Sequence, residues 1–291
     1  MTILLTGGTG FLGAALLEPL AARDEVVAVY RPPVAPPEVE GVRWFAQDLV
    51  APLVTGLPER VDAVVHLAQS RRYREFPEAA LDIFDLNVGA ALRLFDYARR
   101  SGASKFVLAS SGAVYAPRSE PLREEDTLSP ANLYATCKLA AEQAAAHFAD
   151  YFDVAILRYF FIYGPGQRDM FVASIVNRVL DESPVSLSSE VGIRVNPVFV
   201  EDAVAATLAA LEMSGVAAYN VAGGEIVSLR EMANTIGQLV DKTPTFVAGD
   251  KAPDLIADIE RMSASLVQPR TAMRDGLQRT VAAVAERRAT A

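Results

Sequence analysis

The glycines of Thr6-Gly7-Gly8-Thr9-Gly10-Phe11-Leu12-Gly13 constrain this chain more than any other feature of its 291 residues. They follow an apolar run at 2–6 and precede apolar residues spaced by three and four, so a strand must turn into a helix within a few residues. The spacing satisfies G-x-x-G-x-x-G at 7, 10 and 13 and G-x-G-x-x-G at 8, 10 and 13. Glycine permits the tight turn and lets the backbone approach a pyrophosphate, whose charge is met by the N–H groups and dipole of the helix N-terminus. Gly7, Gly10, Phe11, Leu12 and Gly13 are therefore read as a dinucleotide-binding loop. An ordinary glycine-rich turn is the alternative, and the position directly after the first strand weighs against it.

The rest of the chain supports that setting. Residues 2–6, 25–30, 42–46, 61–67 and 104–109 are short Val/Ile/Leu/Phe-rich runs, as expected of parallel strands covered on both faces. Helical spacing fills Gly10 to Ala22, Leu81 to Arg100 and Asn132 to Ala149, which gives strand-helix alternation and a doubly wound α/β sheet of the Rossmann type. Pro19 conflicts locally with the first helix and is expected to kink it. Arg31-Pro32-Pro33-Val34-Ala35-Pro36-Pro37 predicts an extended loop between the second and third strands. Beyond Arg158 the pattern loosens, with a turn at 164–166, a helix from Asp169 to Leu180 and a strand from Val195 to Val200. These boundaries assign 1–163 and 195–221 to the dinucleotide-binding domain. They leave 164–194 and 222–291 as a smaller, discontinuous substrate-binding lobe.

Composition excludes several classes of function. The net charge of −9 disfavours nucleic acid and acidic membranes as partners. The arginine groups Arg71-Arg72-Arg74, Arg99-Arg100 and Arg287-Arg288 read as solvated faces. One cysteine, Cys137, and two histidines leave no disulfide scaffold and no Cys/His metal cage. No basic segment precedes an apolar stretch and no run approaches the ~18 apolar residues of a membrane span, so a soluble, cytoplasmic protein is expected.

Three further features carry chemistry. In dinucleotide folds an acidic residue that ends the second strand binds the ribose hydroxyls of NAD. Here that strand ends in Arg31, whose guanidinium suits a 2′-phosphate, so NADP(H) is expected in preference to NAD(H), which remains the alternative. Tyr134 and Lys138, four apart on a helix, share one face about a turn apart. A nearby ammonium favours a phenolate, so this pair suits proton transfer. Ser110 and Ser111 close the strand at 104–109, at the carboxyl edge where open α/β sheets place ligands.

With these residues in view, the sequence resembles the extended short-chain dehydrogenase/reductase family, which includes nucleotide-sugar epimerases, dehydratases and ketoreductases. The resemblance rests on Gly7/Gly10/Gly13, on Ser111 four residues before Tyr115, and on the Tyr134/Lys138 pair. It extends through Asp48-Leu49, His66-Leu67-Ala68, Asn87, Arg158-Tyr159-Phe160, Tyr163 to Gln167, Val200-Glu201-Asp202 and Tyr219-Asn220-Val221. It implies that Tyr134 is the catalytic acid/base, that Lys138 holds the nicotinamide ribose and lowers the tyrosine pKa, and that Ser111 hydrogen-bonds the reacting oxygen. It also implies that Asp48 and Leu49 flank adenine, that Leu67, Ala68 and Asn87 line the cofactor, and that Phe160 lies near the nicotinamide. His66 is read as a strand residue and Cys137 as filler. A homodimer through two helices of each subunit is implied as well.

Departures from the family pattern narrow the activity. Gly112 and Ala113 stand where dehydratases carry an Asp-Glu pair, so dehydration is not expected. Phe161 stands where an Asn usually helps to bind a sugar nucleotide. Alignment on Val200-Glu201-Asp202 puts Val195 where the family often has a diphosphate-binding Arg, with Arg194 one residue upstream and so on the opposite face of a strand. The expectation is an oxidoreductase that moves hydride between nicotinamide and a ketone or secondary alcohol, as a (nucleotide-)sugar 4-ketoreductase or epimerase. A reductase of a smaller carbonyl compound is one alternative and a non-catalytic NAD(P)-sensing regulator another.

Overall fold

The computed structural model describes residues 1–51, 56–168 and 170–290. The chain runs β1 (Thr2–Thr6), α1 (Phe11–Ala21), β2 (Glu25–Tyr30), β3 (Val42–Ala46), β4 (Ala63–His66), α2 (Ala80–Phe84), α3 (Ala90–Ser101), β5 (Lys105–Ser111), α4 (Leu133–Ala146) and β6 (Asp153–Tyr159). It continues through α5 (Phe171–Leu180), β7 (Val185–Leu187), β8 (Arg194–Val195), α6 (Val200–Ala210), β9 (Val216–Val221), β10 (Val227–Ser228), α7 (Leu229–Val240), β11 (Phe246–Ala248), α8 (Glu260–Ser265) and α9 (Met273–Ala289). The main sheet has the order β3-β2-β1-β4-β5-β6-β9. The pairs β3–β2, β2–β1, β1–β4 and β4–β5 are parallel, which is the doubly wound topology expected. Strand order reverses between β1 and β4, and open α/β sheets bind ligands at the carboxyl ends flanking such a point.

Burial explains why these segments form strands. Ile3, Leu4, Leu5, Val26, Val27, Val64 and Val65 are all inaccessible to solvent. Phe95 of α3 packs on Phe106 of β5 at 4.6 Å between ring centroids, and Phe106 stacks on Phe152 at 5.8 Å. Each such side chain contributes about 1.5–3 kcal/mol by leaving water.

Several elements differ from the sequence expectation. Pro19 is accommodated within α1, because in the last turn it removes one donor while Leu12, Leu16, Leu17 and Leu20 still bury the face. The helix expected over 81–100 is broken by a π-helical turn, Asp85–Gly89, which carries Asn87. The strand expected over 195–200 is only Arg194–Val195: Pro197 cannot donate to a ladder, and Val200-Glu201-Asp202 opens α6 with two acids in its first turn. The helix expected from Asp169 begins at Phe171, and Asp169 itself lies outside the described residues.

The chain divides into two compact units, Met1–Ala116 with Thr127–Arg158 and Val204–Tyr219, and Pro117–Asp126 with Tyr159–Ala203 and Asn220–Ala291. The segment Pro117–Asp126, placed by sequence with the first domain, groups with the second because Leu122 donates to Ile256 and its carbonyl accepts from Asn220 Nδ2. Residues 195–203 group there too, with Asn196 bonded to Gly223 and Ala257. Among the described residues no helix is long and apolar enough to cross a membrane.

Candidate active site

The glycine loop is as tight as its sequence requires. Gly7 has φ +78°, and a Cβ there would lie 2.7 Å from Ala68 N. A Cβ on Gly13 would lie 2.1 Å from the Gly7 carbonyl oxygen, so both positions are closed to any side chain. Gly10 donates to the Gly7 carbonyl at 2.9 Å and caps α1 without a side-chain hydrogen bond. The first turn of α1, beginning Phe11-Leu12, holds no acidic residue, so its N–H groups meet no competing carboxylate. Gly8 is packed by Trp44, and a Cβ there would lie 3.1 Å from the indole.

Around this cradle the other expected cofactor residues fall into place unequally. Arg31 follows β2 and is exposed. Asp48 is exposed and its carboxylate accepts from Val50 N at 3.0 Å, while Leu49 is buried. Leu67 and Ala68 are half-buried and line the far side of Gly7. Asn87 is buried and its Oδ1 accepts from Ser70 N at 3.3 Å, yet its Nδ2 has no hydrogen-bond partner. Trp44 Nε1 is likewise buried and unpartnered, and sequence reading missed it. Two orphan donors and a backbone cradle that excludes Cβ atoms fit a bound dinucleotide. Phe160 belongs to the second unit, where it is almost wholly buried and its N–H bonds the Val221 carbonyl at 3.0 Å.

The catalytic candidates converge in the first unit. β5 ends at Ser111, whose Oγ accepts from Ala113 N at 3.2 Å. Asn132 caps α4 by accepting from Ala135 N at 2.9 Å, which fixes Tyr134 in the first turn. The Tyr134 hydroxyl donates to Gln69 Oε1 at 3.1 Å, a partner supplied by the loop after β4 and invisible to local spacing. Lys138 is buried, donates to the Ala109 carbonyl at 2.9 Å and lies 5.8 Å from the Tyr134 ring centroid.

The electrostatics depart from the expectation that the ammonium depresses the tyrosine. Burial pushes Tyr134 up to about 12, opposed by its hydrogen bond with Ser111. Burial pushes Lys138 down to about 8, opposed by the charge of Glu142. The reason is geometric: the ammonium donates to the Ala109 carbonyl and lies over the ring rather than at the hydroxyl, so desolvation dominates there. His66 is pushed down to about 3, by burial first and the Lys138 charge second, and its Nδ1 shares a 2.7 Å hydrogen bond with Thr6. It is a neutral strand residue. Burial pushes the Cys137 thiol up, consistent with packing rather than nucleophilic use.

A buried network that sequence reading missed lies behind the pair. Arg158 reaches both Glu142 oxygens, at 3.1 and 2.7 Å, and donates to the Tyr115 hydroxyl at 2.7 Å. Ser110 donates to the same carboxylate. The signal was present, since Glu142 stands one turn beyond Lys138 on α4.

In the second unit, Arg194 is half-exposed and paired with Asp254 at 2.7 Å, whereas Val195 is completely buried. Phe161 adopts a left-handed φ of 46° and packs against Phe171 at 4.6 Å.

Known proteins give the chain its family and share its fold. Residues 3–222 match the profile of the NAD dependent epimerase/dehydratase family. A UDP-glucuronate 4-epimerase of Thermodesulfobacterium geofontis is 28% identical over 233 residues, covering 76% of this chain and 72% of the relative. A GDP-6-deoxy-D-mannose reductase of Pseudomonas aeruginosa is 31% identical over 299 residues, covering 96% and 86%. Among solved structures, MoeE5 in complex with UDP-glucuronic acid and NAD superposes with TM-score 0.84 at 28% identity, covering 99% of this chain and all of that one.

Proposed function

Since this chain belongs to the NAD dependent epimerase/dehydratase family, we propose that it is a nucleotide-sugar oxidoreductase acting as a 4-epimerase or 4-ketoreductase. The observation that carries the reading is the meeting of Ser111, Tyr134 and Lys138 with the Gly7–Gly13 cradle at the carboxyl edge of one sheet. Gly7, Gly10, Gly13, the α1 N-terminus and Asn87 would hold a nicotinamide dinucleotide, which would supply the hydride acceptor or donor. Tyr134, protonated at neutral pH, gives its proton to the oxygen of the carbon being reduced, and in the reverse direction that phenolic oxygen takes the proton back. Ser111 holds the reacting oxygen, and the Lys138 ammonium would hold the nicotinamide ribose. Gly112 and Ala113 leave no acid and base for dehydration.

The NAD bound by MoeE5 supports a nicotinamide cofactor and favours NAD. The NADP preference expected from Arg31 rests on that guanidinium alone. The second unit is the proposed source of the substrate-binding lobe. Leu81, Phe84 and Leu92, exposed on and beside α2 and α3, support a homodimer through that face. A cytoplasmic location completes the reading. The ion pair of Arg194 with Asp254 favours one second reading, a smaller carbonyl substrate without a diphosphate.

The test is to denature the purified protein, identify any released nucleotide by mass spectrometry, and assay UDP-sugars for 4-epimerisation. Near-stoichiometric NAD and interconversion of a UDP-sugar support an epimerase. NADP, or an empty protein that takes up NADPH, supports a ketoreductase. Turnover of simple ketones in preference to any nucleotide sugar overturns the proposal in favour of the second reading.

A further inference from the structure

The loop after β4, Gln69-Ser70-Arg71-Arg72-Tyr73-Arg74, holds three arginines and no acid in a chain of net charge −9. By sequence these arginines read as a solvated face. All three are exposed, and the loop that carries them is also attached to Tyr134. Gln69 accepts the Tyr134 hydroxyl at 3.1 Å, and the Tyr73 ring lies 5.2 Å from the Tyr134 ring. The Arg74 guanidinium lies over the Tyr73 ring, 5.1 Å from its centroid.

The loop is anchored rather than loose. Ser70 Oγ donates to Asp82 and accepts from Arg72 N at 3.1 Å, while Ser70 N donates to Asn87 Oδ1 at 3.3 Å. Of its cations, Arg72 is neutralised by Glu75 at 2.8 Å. Asp82 is engaged by Ser70. Arg74 meets only the ring, and Arg71, also exposed, has no ion-pair or hydrogen-bond partner among the described residues.

We propose that this loop is a subsite for an anionic substituent on the substrate sugar, a uronate carboxylate, with Arg74 as the residue that reads it and Arg71 as the second cation. The inference rests on the proposed function and deepens it. A planar guanidinium matches a carboxylate with two parallel hydrogen bonds. Two cations without carboxylate partners on an anchored loop, in an otherwise acidic protein, select an acidic sugar over its neutral counterpart. A neutral sugar would leave that charge unanswered.

The experiment measures dissociation constants of UDP-glucuronic acid and UDP-glucose for the full chain loaded with NAD, by calorimetry, in the wild type and in Arg74→Gln, Arg71→Gln and Arg74→Lys. The wild type is expected to prefer UDP-glucuronic acid by about tenfold or more, the scale of one hydrogen bond to a charged group. Arg74→Gln is expected to remove about tenfold of that ratio, Arg71→Gln less, and Arg74→Lys is expected to restore part of it. An unchanged ratio, or equal weakening toward both ligands, overturns the carboxylate subsite, and equal weakening assigns the arginines to the diphosphate. Either result leaves the epimerase or reductase reading standing if UDP-glucose is turned over. Failure of both ligands to bind overturns that reading and this one together.

Discussion

Glu142 on α4 and Arg158 on β6 form a buried two-ended ion pair one helical turn beyond Lys138, with Tyr115 closing the far side of the guanidinium. The carboxylate thus faces two cations of unequal importance. It neutralises Arg158 directly and supports the Lys138 charge through the field. Glu142→Gln therefore strips the carboxylate from a buried guanidinium and is expected to destabilise the protein by about 3–5 kcal/mol, measured by urea denaturation. The same variant lowers the Lys138 pKa further, so the alkaline limb of kcat/KM is expected to move to lower pH. A variant as stable as wild type with an unmoved limb would refute both roles.

Lys138 also predicts opposite trends for activity and stability. Its charge is present below about 8 in the folded protein and below its ordinary value of 10.5 in the unfolded chain. Between those values the unfolded chain binds more protons, so the contribution of this group to stability rises with pH. Burying the charge costs about 3 kcal/mol at neutral pH on that shift. Turnover is expected to fall as pH rises through 8. The stability advantage of Lys138→Met over wild type, present at pH 7, is expected to shrink between pH 8 and 10 in denaturation curves.

Tyr134→Phe removes the proposed proton donor while leaving the ring to pack on Tyr73. We expect kcat to fall by about 10²–10⁴-fold, with the circular dichroism spectrum unchanged. Turnover at the wild-type rate would remove Tyr134 from the acid/base role.

His66 is held neutral far below its ordinary range of 6.5, at about 3, so the unfolded chain takes up a proton between those values that the folded protein refuses. Stability is expected to fall as pH drops from 6.5 toward 3. His66→Asn, which can still meet Thr6, is expected to show a shallower acid decline in urea midpoint than wild type.

Gly13→Ala places a methyl 2.1 Å from the Gly7 carbonyl, so the turn must open. The nucleotide released on denaturation is expected to drop at least about tenfold. Arg31→Asp addresses the other end of the same cofactor. It should shift the NADP/NAD affinity ratio about tenfold toward NAD if the guanidinium reads a 2′-phosphate, and an unchanged ratio removes that role.

The sequence by itself determined what is written within a few residues. The Gly7–Gly13 spacing forces a strand-turn-helix because only glycine survives those contacts. Tyr134 and Lys138 share a face because a helix repeats every 3.6 residues. Strand periodicity foretold that Arg194 and Val195 part, one to solvent and one to the core, although Pro197 ended the strand sooner than the apolar run suggested. Tertiary structure decided what no local window holds. Gln69 and Tyr134 are 65 residues apart and meet because β4 and β5 are neighbours in the sheet. The same adjacency sets the loop that carries the 71–74 arginines beside Tyr134. Glu142 and Arg158 pair because α4 packs over the strand that follows it, and the ionisation of Tyr134 and Lys138 was set by burial, a property of the assembled interior rather than of spacing.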